Sequence, residues 1–511
     1  MTTVLIIIAI VAYLVCVIWI GFYFTNQNKS AGDFYLGGRK LGPFVTAMSA
    51  EASDMSSWLL MGLPGVALAG LAGLNGSFAE AVWTAVGLAF GTYLNWLIVA
   101  KPIRLYSEKV HAFTIPGFIS NRYEDKSGLL VAISAIIIIV FFVPYTASGF
   151  ASVGKLFNSL FGIDYHTAMI IGAAVIAIYT ILGGFLAAST TDFIQSIVMT
   201  IALIVVIGFG INYAGGFHEA MQNAGSVDHY FSLTGNGSYG ALPIASTMAW
   251  GLGYFGMPHV LLRFMAIEDE QKLKLSRRIA TIWVVIAMGV AILIGIIGYT
   301  YVAKRGILAG KGFDPERIIV YIAAAISKLN PFAAIVAGVI ISGILASVMS
   351  TSDSQMLAAS SSVSENLIKR FFVKNITPEK QLVWARATVF VIAVIGVLFA
   401  WDPNSSVFRI VSFAWAGFGA SFGPLILFSL FWKRTTKWGA FAGILTGGAM
   451  VFIWKFGIAK LGGLFSIYEL LPAFLLSCLA IVVVSLLTPP PSQSIQDTFD
   501  EVHREKNYNR D

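Results

Sequence analysis

Residues 51–65 read EASDMSSWLLMGLPG. They lie inside an apolar segment, residues 43–71, that is long enough to cross a bilayer, for which about 20 residues suffice. Two carboxylates, Glu51 and Asp54, and three hydroxyls, Ser53, Ser56 and Ser57, interrupt it, and Gly62, Pro64 and Gly65 weaken the helix behind them. An ionised group in hydrocarbon is expensive, so an acid at this depth faces a cavity or a partner. Ser49, Ser53, Ser56 and Ser57 recur at i, i+4, i+7 and i+8 and so share one helical face. Serines alone would suit a packing stripe of small residues. Asp54 and the GLPG that follows do not fit that reading.

The whole chain agrees with a membrane setting. Of 511 residues, 57% are hydrophobic and 12% charged, and the mean hydropathy is +0.80. Soluble domains carry about 25% charged residues, so a chain this apolar could not cover a soluble surface. The formal charge of +7 does not point to nucleic acid, because the basic residues lie in short loops between apolar runs. Cys16 and Cys478 both fall in apolar segments and give neither a disulfide framework nor a metal spacing. No nucleotide-binding loop, metal-ligand cluster or nucleophile–base spacing is evident, so no enzyme and no cofactor is expected.

Hydropathy predicts an all-α polytopic protein of about thirteen spans. They lie near 4–24, 43–71, 77–100, 127–156, 165–187, 190–214, 240–266, 279–302, 332–364, 382–401, 405–432, 436–457 and 467–488. The first lacks a preceding basic residue and a small-residue cleavage site, and reads as a retained helix. Residues 315–329 are too short to span and are expected at the interface. With the N-terminus outside and the C-terminus inside, the inward loops hold most of the 33 basic residues, Arg263 among them. Residues 1–488 then form one transmembrane domain, and 489–511 a mobile cytoplasmic tail.

Two further segments resemble the opening one. In ASVMSTSDSQ, residues 346–355, Ser347, Ser350, Thr351 and Ser354 fall at i, i+3, i+4 and i+7. Hydroxyls and freed backbone carbonyls are hard oxygen ligands that can replace the water shell of a small cation. Two such faces could bracket an ion near Asp54, and small-residue packing is the alternative. In AWGLGYFGMPH, residues 249–259, three glycines and Pro258 should break the seventh span. A break is tolerated at membrane depth where it lines a cavity or is buried in protein. Trp250 and Tyr254, four apart, are expected to stack on one face, in a pocket or in an interfacial aromatic belt. Glu80 and Asp192, near predicted span ends, read equally as headgroup-level acids. Interrupted second and seventh spans are the spacing of two five-helix inverted repeats, here 43–214 and 240–457. No residue-level repeat is visible.

LGPFVTAMSAEASDMSSWLLMGLPG (41–65), EDKS (124–127), AWGLGYFGMPH (249–259), ILASVMST (344–351) and FAWAGFGASFGPLILFSLFW (413–432) closely resemble the sodium:solute symporter family, its proline-carrying members in particular. The resemblance runs from about Phe34 to about Leu487. It implies a leucine-transporter-like five-plus-five fold with one helix before (4–24) and two after, the last being 467–488. It implies sodium-coupled import of a small amino acid, L-proline, by alternating access across a bacterial cytoplasmic membrane, with a monomeric transport unit. Sodium, as coupling ion, would be bound by Ala52, Met55, Ser347, Ser350 and Thr351. Asp54 and Asp192 match the acids tied to sodium binding and exit. Ser56, Ser57, Tyr145, Trp250, Tyr254 and Pro258 would form the substrate pocket, and Arg39 matches a basic residue near the cytoplasmic end of the second span.

The chain also departs from that pattern. Glu51 and Ser57 stand where the proline carriers have glycine, Met257 where glutamine is usual, and Asp353 is more typical of other members. These changes leave the implied sodium ligands intact. They keep other substrates open, among them another amino acid, a betaine or a carboxylate, and through Glu51 a proton-assisted variant.

Overall fold

The computed structural model describes residues 2–25, 31–237, 239–309, 313–372 and 377–508. Among them the fold is helical apart from one backbone bridge between Leu41 and Ile267. The helices used below are α1 (Thr2–Thr25), α2 (Pro43–Asp54), α3 (Leu63–Leu71), α4 (Phe78–Leu94), α5 (Ala100–Lys109), α6 (Leu129–Phe161), α7 (Tyr165–Ala214), α8 (Ala241–Met248), α9 (Pro258–Ala266), α10 (Leu273–Lys304), α11 (Ile318–Ile326), α12 (Pro331–Ser361), α13 (Pro378–Phe399), α14 (Val407–Phe431), α15 (Lys437–Phe456), α16 (Leu470–Leu487) and α17 (Gln493–Tyr508).

Ten helices among the described residues are long and apolar enough to cross a membrane, or eleven if the bent pair Pro43–Asp54 and Trp58–Leu71 is one span. The difference from thirteen has two sources. The fifth and sixth expected spans are fused in α7, whose 50 residues kink at Gly184, φ 66° and ψ −170°. At 1.5 Å per residue α7 is about 75 Å long, more than twice the hydrocarbon thickness. The seventh expected span is in three pieces: α8, a 3-10 stretch Ala249–Gly256, and α9. None of the three is long enough to count alone.

α12 is central. It packs on α7, α1 and α6, and α2 packs on α7, α10, α9 and α12. Large apolar side chains of α1 and α13 (Trp19, Phe22, Val383, Leu398) point outward, as lipid-facing helices require. The segment expected at the interface is buried: Ile318, Ile319, Ile322 and Ile326 of α11 pack inside the bundle. The tail is not a loose end. It forms α17, which lies on α5 with Phe499 and Val502 buried. Arg122 sits 5.3 Å over the Phe499 ring, and Lys433 pairs with Asp500 at 2.5 Å. Its hydrophobic spacing inside a charged segment makes it amphipathic, and the bundle supplies the apolar partner. Residues 509–511 of the tail lie outside the described residues.

Candidate functional site

The opening stretch breaks before its glycines. α2 ends at Asp54, and Met55 leaves the helix at φ −75°, ψ 67°. A tight turn follows in which Ser56 N donates to Asp54 O at 2.8 Å. The chain resumes at Trp58 as a wide helical turn and continues into α3, inclined by 60°. Gly62 and Gly65 therefore do not make the break. They allow close approach, since a Cβ on Gly65 would lie 3.1 Å from the Glu316 backbone.

The break frees carbonyls, and the polar residues of α12 meet them. Ser350 Oγ donates to Ala52 O at 2.8 Å, and Thr351 Oγ1 lies 3.4 Å from the same oxygen. Both hydroxyls also reach Ser347 O, at 3.3 and 3.1 Å. Ala52, Ser347, Ser350 and Thr351 thus lie together and buried at the contact of α2 with α12, and Met55 is buried in the break that follows Asp54. Asp54 is fully buried: Tyr254 donates to its Oδ2 at 2.7 Å, and its Oδ1 has no partner. Its backbone carbonyl accepts from Tyr145 Oη at 3.2 Å and Trp58 Nε1 at 3.1 Å. Oxygens of this kind suit a small hard cation.

Trp250 and Tyr254 do not share a face. The 3-10 stretch has three residues per turn, so positions i and i+4 diverge by about 120°. Trp250 stacks on Tyr468 at 5.3 Å and faces Phe408, Trp415 and Trp58 at 5.2, 6.3 and 6.4 Å. Tyr254 turns to Asp54, with the Trp415 ring at its edge. The glycines here serve contact: a Cβ on Gly251 would lie 2.2 Å from Gly87 O, and one on Gly256 2.4 Å from Phe418 O. Pro258 opens α9 and is buried. Ser56 and Ser57 sit in the break, and Ser152 Oγ donates to Ser57 Oγ at 2.8 Å.

Asp192 belongs to a second cluster, one helical turn away. Arg263, placed in an inward loop by charge counting, is 1% exposed and inside the bundle. It donates to Asp192 at 3.0 Å, Ser49 at 3.0 Å, Ser354 at 2.5 Å and the His259 carbonyl at 3.0 Å. Ser49 also donates to Asp192 at 2.7 Å, and Ser354 to Asp353 at 3.1 Å. Arg263 was legible only as one apolar-flanked cation in PHVLLRFMA; nothing local marks its partner. Asp192 lies mid-helix and fully buried, so the headgroup reading fails for it. Glu80 does lie at a helix end, in the first turn of α4 behind its Ser77 cap and 3.6 Å from Arg409.

Both ends of the site are closed. At one, Arg39, held at φ 56°, bonds Ser107 Oγ at 3.1 Å, Ala112 O at 2.9 Å and the Met265 carbonyl. Leu41 N donates to Ala266 O at 3.1 Å beside it, tying the starts and ends of the two broken spans. At the other end Glu316 accepts from Lys155 at 3.0 Å, Ser406 at 2.9 Å and the Val407 and Phe408 amides at 3.2 Å. A cavity of about 410 Å³, lined in part by Asn75, Asp314 and Arg409, lies outside it.

Residues 34–447 match the sodium:solute symporter family. The high-affinity proline transporter PutP of Bacillus subtilis (strain 168) is 43% identical over 484 residues, covering 94% of this chain and 98% of the relative. The sodium/proline symporter of Escherichia coli (strain K12) is 42% identical over 494 residues, covering 96% and 94%. A solved Na+-coupled sialic acid symporter in a substrate-bound outward-open state superposes with a TM-score of 0.80 over 96% of this chain and 99% of its own, at 18% identity, a likeness of fold.

Proposed function

The chain belongs to the sodium:solute symporter family, and from that premise we propose that it imports L-proline with sodium across a bacterial cytoplasmic membrane. It is a transporter, not an enzyme. The observation that carries the reading is the Ala52 carbonyl, released by the break after Asp54 and met by the Ser350 and Thr351 hydroxyls of another helix. An ion taking these oxygens would replace the hydrogen bonds between them and clamp α2 to α12. The same clamp fixes Ser56, Ser57 and the Asp54–Tyr254 bond beside the aromatic wall. Sodium and substrate then strengthen each other's binding, and the coupling is reciprocal.

The pocket chemistry suits a small zwitterion with an apolar ring. The N-terminus of α9 offers partial positive charge to a carboxylate, beside the Ser56 and Ser57 hydroxyls. Trp250, Trp58 and Trp415 offer apolar faces for the ring and π-faces for its amine. The mutual closure at Arg39 and at Glu316 fits the occluded step of alternating access. With α7 split at Gly184 and the pieces of the seventh span joined, the reading is thirteen spans, five in a first repeat from 43 and five in a second from 240, with one helix before, two after and the N-terminus outside. Each chain would be a complete transport unit.

Purified protein in proteoliposomes tests this. Labelled proline should accumulate under an inward sodium gradient and not under a proton gradient alone. No accumulation, with no competition by millimolar proline against any other solute, overturns the proline reading.

A further inference from the structure

Glu51 is the acid that the implied sodium site leaves unused. It is 1% exposed. Its Oε1 accepts from Thr92 Oγ1 at 3.1 Å and Trp96 Nε1 at 2.9 Å, both from the α4 side, and its Oε2 has no partner. Asp54, three residues on, shares its face, with Cβ atoms about 5–6 Å apart, and likewise carries an unpartnered buried oxygen, Oδ1. Asn95, on the turn that donates to Glu51, presents a third such oxygen, Oδ1, while its Nδ2 is fixed on Tyr254 O at 2.9 Å.

The charges do not balance within the bundle. The ionisable groups facing this pair are Tyr254 from the 3-10 stretch and Tyr145 from α6, both neutral donors to Asp54. From the α4 side come only Thr92, Trp96 and Asn95. His259 and Arg263 of α9 lie a turn away, where Arg263 is taken by Asp192 of α7 and, through Ser354, by Asp353. One sodium at Ser350 and Thr351 offsets one carboxylate. A second carboxylate buried without a cation is strongly disfavoured.

Resting on the transport reading above, we propose that Glu51, with Asp54 and Asn95, holds a second monovalent cation that travels with each substrate. The unpartnered oxygens are two carboxylates and an amide carbonyl, a hard ligand set, so the second cation is a sodium ion. The reversal potential of proline flux in proteoliposomes gives the number of cations carried per proline. It is measured once with a sodium gradient at clamped pH and once with a pH gradient at clamped sodium. The unaltered protein should carry two cations per proline. Glu51→Gln, which keeps an acceptor for Thr92 and Trp96, and Glu51→Gly should carry one. Movement of the second cation with the sodium gradient supports the proposal, and movement with the pH gradient instead overturns it.

If a variant does not transport, equilibrium proline binding in detergent replaces the flux. The slope of log affinity against log sodium concentration should fall by one. A ratio of one in the unaltered protein, or an unchanged ratio or slope in both variants, overturns the proposal. Absence of proline transport in the unaltered protein would fail the transport reading instead.

Discussion

Arg263→Met removes a guanidinium that makes four hydrogen bonds between α2, α7, α9 and α12. The methionine fills the space of the side-chain stem beside Phe185, whose ring lies 5.0 Å from the Arg263 Cζ. Asp192 keeps only Ser49 as donor, and its Oδ1 already lacks a partner. Asp353 keeps Ser354 but loses the guanidinium behind it. Breaking one side of a buried pair costs about 3–5 kcal/mol, because the other charge stays buried. Asp192→Leu alone strands the guanidinium and should cost a similar amount. The double replacement removes both charges, so it should be less destabilised than the two single losses added, by about 2–3 kcal/mol. Reversible unfolding in mixed detergent gives the three differences on one scale. Losses that add to within about 0.5 kcal/mol, or an Arg263→Met loss under about 1 kcal/mol, would refute the buried-pair account. Sodium-dependent uptake should remain impaired in the double variant, since Asp192 is removed there; recovered stability without recovered transport is the expected pattern.

Ser350→Ala with Thr351→Ala should raise the sodium concentration for half-maximal proline uptake at least about tenfold, or about 1.4 kcal/mol. Proline affinity at saturating sodium should change less, and an unchanged sodium requirement would sink the site. Gly91→Ala places a Cβ 2.3 Å from the Gly251 carbonyl oxygen and 2.4 Å from its Cα. Backbone cannot yield as a side chain does, so a loss of about 1–3 kcal/mol in stability is expected, with weaker proline binding; unchanged melting would show that the two segments part easily. Phe499→Ala deletes the ring between Arg122 and Tyr106 that holds α17. Cleavage within residues 493–508 by added protease should then accelerate by about tenfold or more, the result of losing roughly 1.4 kcal/mol of docking. An unaltered cleavage rate would mean that the Lys433–Asp500 and Lys109–Glu501 pairs hold the helix without it.

The sequence by itself determined the class and the places where the fold is interrupted. Membrane spans are legible because hydrocarbon demands about 20 apolar residues in a row, a local property of the chain. EASDMSSW and ASVMSTSD were legible as unusual for the same reason, since hydroxyls and acids at that depth need partners. Periodicity also put Ser350 and Thr351 on one face. Which partner each group takes is not local. Ser49 and Arg263, 214 positions apart, are joined by one hydrogen bond, and only packing of α2 on α9 decides that a residue counted as a loop cation neutralises a buried acid. The break fell at Met55–Ser57 rather than at GLPG, where Tyr145 and Trp58 hold the Asp54 carbonyl and Tyr254 its carboxylate. Glycines at 65, 251 and 256 instead accept neighbouring backbone, and Gly62 the Phe408 side chain. Trp250 and Tyr254 diverged because the 3-10 winding, set by those close approaches, changes the helical period on which the sequence reading relied.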